Sequence, residues 1–76
     1  MKKEDFLVEL EDLLQREDSC KEEDDLNDYE EWDSLSKMSV MAYYSKNFGI
    51  KLSLDSFRNI NTVADLIKLA GDKISD

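Results

Sequence analysis

The chain has 76 residues, of which 38% are charged and 41% are hydrophobic, and it contains no proline and no histidine. This length allows a single small domain, expected to span residues 1–76, and excludes most enzyme architectures. The absence of histidine excludes Ser-His-Asp and Cys-His nucleophiles. The net charge of −9 is uneven, because Met1–Glu31 carries 14 acids against 4 bases. Such an acidic field repels nucleic acids and anionic membranes, so neither is an expected partner.

A first amphipathic helix is predicted for about residues 3–15. Apolar residues recur there with the spacing of one helix face, and acidic residues occupy the opposite face. The apolar face comprises Phe6, Leu7, Leu10, Leu13 and Leu14. We expect this face to pack into the core, because the helix has no other evident source of stability.

The segment from Arg16 to Asp33 has no helical periodicity and is predicted to be a long, solvated acidic loop. Leu26, Tyr29 and Trp32 are its main apolar residues and are expected to anchor it. A loop of this length is uncommon in so small a domain and is often functional.

The acids of this loop do not form a recognisable metal site. In the closest register to a calcium-binding EF-hand, Asp28 stands where glycine is needed and Ser34 where a closing glutamate is needed. We therefore predict no metal centre. The single Cys20 lies among acids, which raise the pKa of a thiol, and no role is expected for it.

A second helix is predicted for residues 34–47, with Asp33 as the side-chain cap of its first free N–H groups. This helix carries two apolar stripes, whereas a surface helix needs only one. The core stripe comprises Val40, Met41, Tyr44 and Phe48. The second stripe comprises Leu35, Met38 and Ala42, with Ser34 at its edge. The second stripe is either covered by another element of the domain or left for a partner.

The remaining chain is predicted to hold an extended loop, a short helical turn and a last helix. Gly49 is expected to end the second helix. Ile50, Leu52 and Leu54 alternate with polar residues and are expected to reach the core. The short turn is predicted for residues 55–60, and the last helix from residue 61 or 62 to about Ile74, opened by a capping box at Thr62. The expected core is Phe6, Leu10, Leu14, Val40, Tyr44, Phe48, Ile60, Val63, Leu66 and Ile67.

The sequence around the second helix resembles the acyl and peptidyl carrier proteins. The resemblance begins at Trp32-Asp33-Ser34-Leu35 and continues through Phe48-Gly49-Ile50 to Ile60-Asn61-Thr62-Val63. It implies that Ser34 carries a covalent 4′-phosphopantetheine arm from coenzyme A, between Asp33 and Leu35. It also implies an all-α fold, a small four-helix bundle with three longer helices and one short helix. The arm would supply the reactive thiol, so the protein itself is expected not to be an enzyme.

Several partners follow from the same resemblance. They are a phosphopantetheinyl transferase, a ligase that loads an acyl or aminoacyl group, and a downstream transferase or synthase. Leu35, Met38 and Ala42 correspond to apolar contacts used by such enzymes, although extra core is an equally weighted interpretation. We expect a monomer without membrane insertion. A cytoplasmic location is expected, because Cys20 cannot form an internal disulfide and a secretory signal is lacking.

The chain also departs from the carriers of general fatty-acid synthesis. Those proteins commonly carry several acids along the second helix, whereas this chain has Ser36, Ser39, Ser45 and Lys46 at such places. We therefore expect a specialised carrier with a dedicated set of partners. Tyr44 and Phe57 are bulky where an acyl tunnel needs space, so long saturated chains are expected to be poorly sequestered. The alternative function is an acidic helical interaction module or inhibitor that binds a basic partner.

Overall fold

The computed structural model describes residues 1–75 and contains three α-helices joined by loops and short 3-10 turns. The α-helices are α1 (Lys3–Leu14), α2 (Ser34–Phe48) and α3 (Val63–Leu69). The 3-10 turns are Leu26–Asp28, Leu54–Phe57 and Gly71–Lys73. The described residues contain no strand, so the predicted all-α class is confirmed. The expected short fourth helix is present as the 3-10 turn Leu54–Phe57, which begins one residue earlier than predicted and ends at Phe57 and not at residue 60.

The last helix is shorter than predicted, because α3 ends at Leu69 and not near Ile74. Gly71 adopts a left-handed backbone conformation with φ of 61°, which redirects the chain after α3. Ile74 is nevertheless buried. The apolar spacing therefore continues beyond the point where the helix stops, and the predicted end of the helix is wrong. Gly49, with φ of 68°, ends α2 as predicted.

Most of the predicted core is confirmed. Its buried members are Phe6, Leu10, Leu14, Val40, Tyr44, Val63, Leu66 and Ile67. Phe48 and Ile60 are only partly buried and pack against the core, so their prediction as core residues is wrong. Phe48 is the last residue of α2, and Ile60 lies between the 3-10 turn Leu54–Phe57 and α3.

Tyr44 connects all three α-helices. Its side chain is completely buried, and its hydroxyl donates a hydrogen bond to the carbonyl of Leu66 on α3 at 2.6 Å. Its ring meets Phe6 of α1 edge to face, with 6.0 Å between the ring centroids. Burial raises the pKa of Tyr44. The hydroxyl therefore stays protonated and keeps its hydrogen bond. Without this bond, burying the polar hydroxyl would destabilise the fold.

The acidic loop, residues 16–33, contains buried side chains and is not solvated throughout, so that part of the prediction is wrong. Leu26 and Tyr29 are buried, as the anchor prediction requires, and Trp32 is partly buried. The Arg16 guanidinium lies 3.8 Å from the centroid of the Tyr29 ring and donates to Glu31 Oε1 at 3.0 Å. These contacts join the start of the loop to its end.

The same loop supplies acceptors for the start of α3. The N–H groups of Val63 and Ala64 donate to the carbonyls of Asp24 and Glu22 at 3.0 and 2.9 Å. The Thr62 hydroxyl accepts the next N–H at 3.2 Å, as its predicted capping box requires. These are the N–H groups that a helix cannot pair internally. A helix of 7 residues is unstable alone, so the loop helps to stabilise α3.

Candidate functional site

Ser34 is the exposed first residue of α2, where the acidic loop ends. The preceding residue, Asp33, is the N-cap, and its Oδ1 accepts a hydrogen bond from the N–H of Ser36 at 2.9 Å. The predicted capping role of Asp33 is therefore confirmed. The cap fixes the backbone on both sides of Ser34 and makes it the first helical residue.

Ser36 is a structural residue of this site that the sequence reasoning missed. Its Oγ accepts a hydrogen bond from the N–H of Asp33 at 2.9 Å and donates to the Asp33 carbonyl at 3.0 Å. Asp33 and Ser36 have the spacing of a capping box, but serine stands where glutamate or glutamine is usual, which hides the signal. Each of these two side chains bonds to the backbone of the other residue, and neither bonds to Ser34. The Ser34 hydroxyl has no hydrogen-bond partner among residues 1–75.

The start of α2 favours a negatively charged group. A helix leaves its first N–H groups without internal acceptors and carries a partial positive charge at that end. The cap pairs the N–H of Ser36, which leaves those of Ser34 and Leu35 for water or an anion. No acid lies in the first turn of α2. The nearest acids in the chain, Glu31 and Asp33, belong to the acidic loop.

Two aromatic side chains and one lysine lie beside the site. Trp32 meets Phe57 edge to face, with 5.6 Å between the ring centroids. The ammonium nitrogen of Lys37, in the first turn of α2, lies 5.6 Å from the centroid of the Trp32 ring. These contacts attach Trp32 to the 3-10 turn Leu54–Phe57 and to α2.

The second apolar stripe of α2 is exposed. Leu35 is 76% exposed and Met38 is 54% exposed, and Ala42 also belongs to the exposed class. On the opposite side of the helix, Val40 and Tyr44 are completely buried. The interpretation of the second stripe as extra core is therefore wrong. The structure brings Ser34, Leu35, Met38 and Ala42 together on one accessible surface.

Leu54 is a further exposed apolar residue, although the sequence predicts that it reaches the core. It is 54% exposed, whereas Ile50 and Leu52 are partly buried against the core. Leu54 begins a 3-10 turn, and the strand-like alternation used for the prediction ends there. The prediction that Leu54 reaches the core is wrong for that reason.

Cys20 is buried, although it lies among charged residues. Burial is the main factor that raises the pKa of its thiol, and the nearby Glu11 carboxylate adds to the effect. A protonated, inaccessible thiol is a poor nucleophile. Among residues 1–75 no cluster of three or more metal-ligating side chains is found. Within the same residues, no helix combines the length and hydrophobicity that crossing a bilayer requires.

A family model described as a phosphopantetheine attachment site matches residues 4–70. The matched range contains α1 except its first residue, the acidic loop, α2 with Ser34, and all of α3. Comparison with curated proteins and with solved structures gave no match.

Proposed function

The chain belongs to the family of phosphopantetheine attachment domains, and on this premise we propose that it is a carrier protein whose arm is attached to Ser34. Domains of this family bear a covalent 4′-phosphopantetheine group and are generally carriers, not enzymes. They interact with a phosphopantetheinyl transferase and with biosynthetic enzymes. The observation that carries the choice of Ser34 is its exposed, unpartnered hydroxyl at the start of α2.

The residues around Ser34 fit the group. In the transfer, the Ser34 oxygen bonds to the phosphorus that holds pantetheine in coenzyme A, the bond to the adenosine nucleotide breaks, and the hydroxyl proton is released. The phosphodiester that results is anionic, and a helix N-terminus with free N–H groups stabilises an anion. Modification breaks no internal hydrogen bond of Ser34, because the cap uses Asp33 and Ser36. The arm, when bound, supplies the thiol that forms thioesters.

The exposed stripe supports contact with partner enzymes beside the arm. Leu35, Met38 and Ala42 form the proposed contact surface, within reach of any enzyme that approaches Ser34. A small apolar contact suits brief association, since a carrier must be released after each step. The partners we propose are a transferase that adds the arm, a ligase that loads it with an acyl or aminoacyl group, and a downstream transferase or synthase. The chain acts as one carrier domain and as a monomer in the cytoplasm.

The distribution of charge supports a specialised pathway. The only charged residues of α2 are Lys37 and Lys46, and the acids lie in the loop before the helix. An enzyme that recognises a carrier through acids along this helix finds none here. The basic surface of such an enzyme would face the two lysines of α2, and these like charges repel each other. This arrangement supports a dedicated set of partners adapted to the acidic loop.

The packed core supports small or polar cargo that stays outside the bundle. Tyr44 is completely buried and bonded to the Leu66 carbonyl, and Phe57 is buried against Trp32. An acyl chain between α2 and α3 would have to displace this packing. We expect the thioesters of acetyl and octanoyl arms to react with hydroxylamine at similar rates. Strong protection of the octanoyl thioester would contradict the proposed cargo class.

The attachment point is tested by incubating the purified protein with coenzyme A and a permissive phosphopantetheinyl transferase. Intact-protein mass spectrometry is expected to detect one added arm on the wild type and none on Ser34→Ala. Ser39→Ala is the matched control, because Ser39 is an exposed serine of the same helix, and it should be modified like the wild type. Modification of Ser34→Ala, or no modification of the wild type, would refute the assignment.

A further inference from the structure

Lys37 is the base closest in sequence to Ser34 in either direction along the chain. Within residues 1–75 its ammonium group has no carboxylate partner, in contrast to Lys3, Arg16 and Arg58, which form ion pairs. Its contact is the face of Trp32, with the nitrogen 5.6 Å from the ring centroid. The cation at the start of α2 is therefore held by a weak interaction on a partly exposed ring.

The helix geometry directs this cation toward Ser34. Residues separated by three positions are neighbours on a helix, with about 5–6 Å between their Cβ atoms. Long side chains on a helix also point back toward its N-terminus, so Lys37 extends toward the turn that contains Ser34. A lysine side chain reaches past a serine at this distance. A phosphate bonded to the Ser34 oxygen therefore lies within the range of the Lys37 ammonium group.

From this geometry we propose that Lys37 binds the phosphate at the root of the arm, an inference that rests on the proposed attachment at Ser34. A charge-assisted hydrogen bond to a phosphate oxygen is stronger than the contact with the indole ring, so the ammonium leaves Trp32 when the arm is added. Lys37 also offsets the repulsion between the phosphate and the neighbouring Asp33 and Glu31 carboxylates. The lysine thus orients the first segment of the arm relative to α2.

The proposal is tested by nuclear magnetic resonance on the protein before and after addition of the arm. In the unmodified protein, the ε-methylene protons of Lys37 are expected to be shifted upfield by the Trp32 ring. In the modified protein that shift should largely disappear. The ³¹P resonance of the phosphodiester is then compared between Lys37→Gln, Lys37→Arg, the wild type and the urea-unfolded wild type. Lys46→Gln is the matched control, because Lys46 lies near the other end of the same helix.

The expected result is that Lys37→Gln moves the ³¹P resonance to the position of the unfolded protein, while Lys37→Arg and Lys46→Gln keep the wild-type position. A modified protein in which the Lys37 methylene shifts are unchanged would overturn the inference and leave the carrier function intact. A Lys37→Gln variant with the wild-type ³¹P resonance would also overturn the inference and leave the carrier function intact. If no arm is added at all, the proposed attachment fails first, and the inference fails with it.

Discussion

The acidic loop and α2 are adjacent in sequence but differ in how their charge and apolar patterns relate to burial. The loop has 10 acids in residues 16–33 and no regular periodicity, yet it contains the completely buried Leu26. Helix α2 has no acid and a regular apolar pattern, yet it leaves Leu35 and Met38 exposed. Charge content therefore does not decide which segment is packed. The irregular segment contributes buried residues to the core, and the regular helix buries Val40 and Tyr44 on one side while its other side stays exposed.

The two segments are also stabilised by different kinds of contact. The start of α2 is fixed locally by the reciprocal pair of Asp33 and Ser36. The loop depends on contacts that are distant in sequence, because the Leu26 N–H donates to the Asn61 carbonyl at 2.8 Å. A mutation in the loop should therefore affect the whole domain, whereas one at the cap should affect mainly the helix that carries Ser34.

The largest effect is expected for Leu26→Ala, which tests whether the acidic loop is packed. Removing a completely buried leucine from a packed site destabilises a protein by about 2–5 kcal/mol. The free energy of unfolding, measured by urea denaturation, should fall by this amount. Leu54→Ala is the control, because Leu54 is exposed and its loss should change the value by no more than about 0.5 kcal/mol. Equal small effects for both variants would mean that the loop is not packed.

A smaller loss of stability is expected for Asp33→Ala. The variant removes the side chain that accepts the Ser36 N–H, and loss of such a cap costs about 0.5–2 kcal/mol. Ser34→Ala, one residue away, should leave the free energy of unfolding within about 0.5 kcal/mol of the wild type, because the Ser34 hydroxyl takes no part in the cap. A larger effect for Ser34→Ala than for Asp33→Ala would contradict the assigned geometry.

The smallest expected effect is a pH dependence within the loop. The Tyr29 hydroxyl donates to Asp24 Oδ2 at 2.7 Å, and this hydrogen bond lowers the pKa of Asp24. A carboxylate with a lowered pKa stabilises the folded state above its unfolded pKa of about 3.9, and the contribution is lost as the pH falls through the folded value. Tyr29→Phe should raise the pKa of Asp24, measured by NMR titration.

The matched control for this titration is Tyr43→Phe. The Tyr43 hydroxyl contacts the sulfur of Met1 at 3.7 Å and not a carboxylate. The variant should leave the Asp24 titration unchanged. Equal titration curves for Asp24 in Tyr29→Phe and in the wild type would show that the hydrogen bond has no influence on this carboxylate in solution.

Local signals in the sequence predict the local structure well. Asp33, Gly49 and Thr62 mark helix boundaries through side-chain or backbone preferences that act within a few residues, and all three boundaries are confirmed. The end of α3 could not be predicted, because the apolar spacing continues past Gly71 to the buried Ile74. Capping residues therefore predict where a helix begins more reliably than apolar spacing predicts where it ends.

The candidate site was only partly predictable for a related reason. The two stripes of α2 are both apolar, and the spacing alone cannot decide which one another element covers. Ser36 was missed because a serine in the third position of the helix is a weak sign of a capping box. The contacts of Arg16 with Tyr29 and Glu31 depend on the folded path of the loop, so no local pattern indicates them. The role of Ser34 as the attachment point stays a prediction.

The most direct test is to locate the arm at the level of single residues. The protein is purified from its own source, digested, and sequenced by tandem mass spectrometry. We predict that a phosphopantetheine group, free or carrying an acyl or aminoacyl thioester, is found on the fragment that contains Ser34 and on that residue alone. An arm on Ser36, Ser39 or Ser45, or an unmodified Ser34 even after incubation with coenzyme A and a transferase, would contradict the central claim.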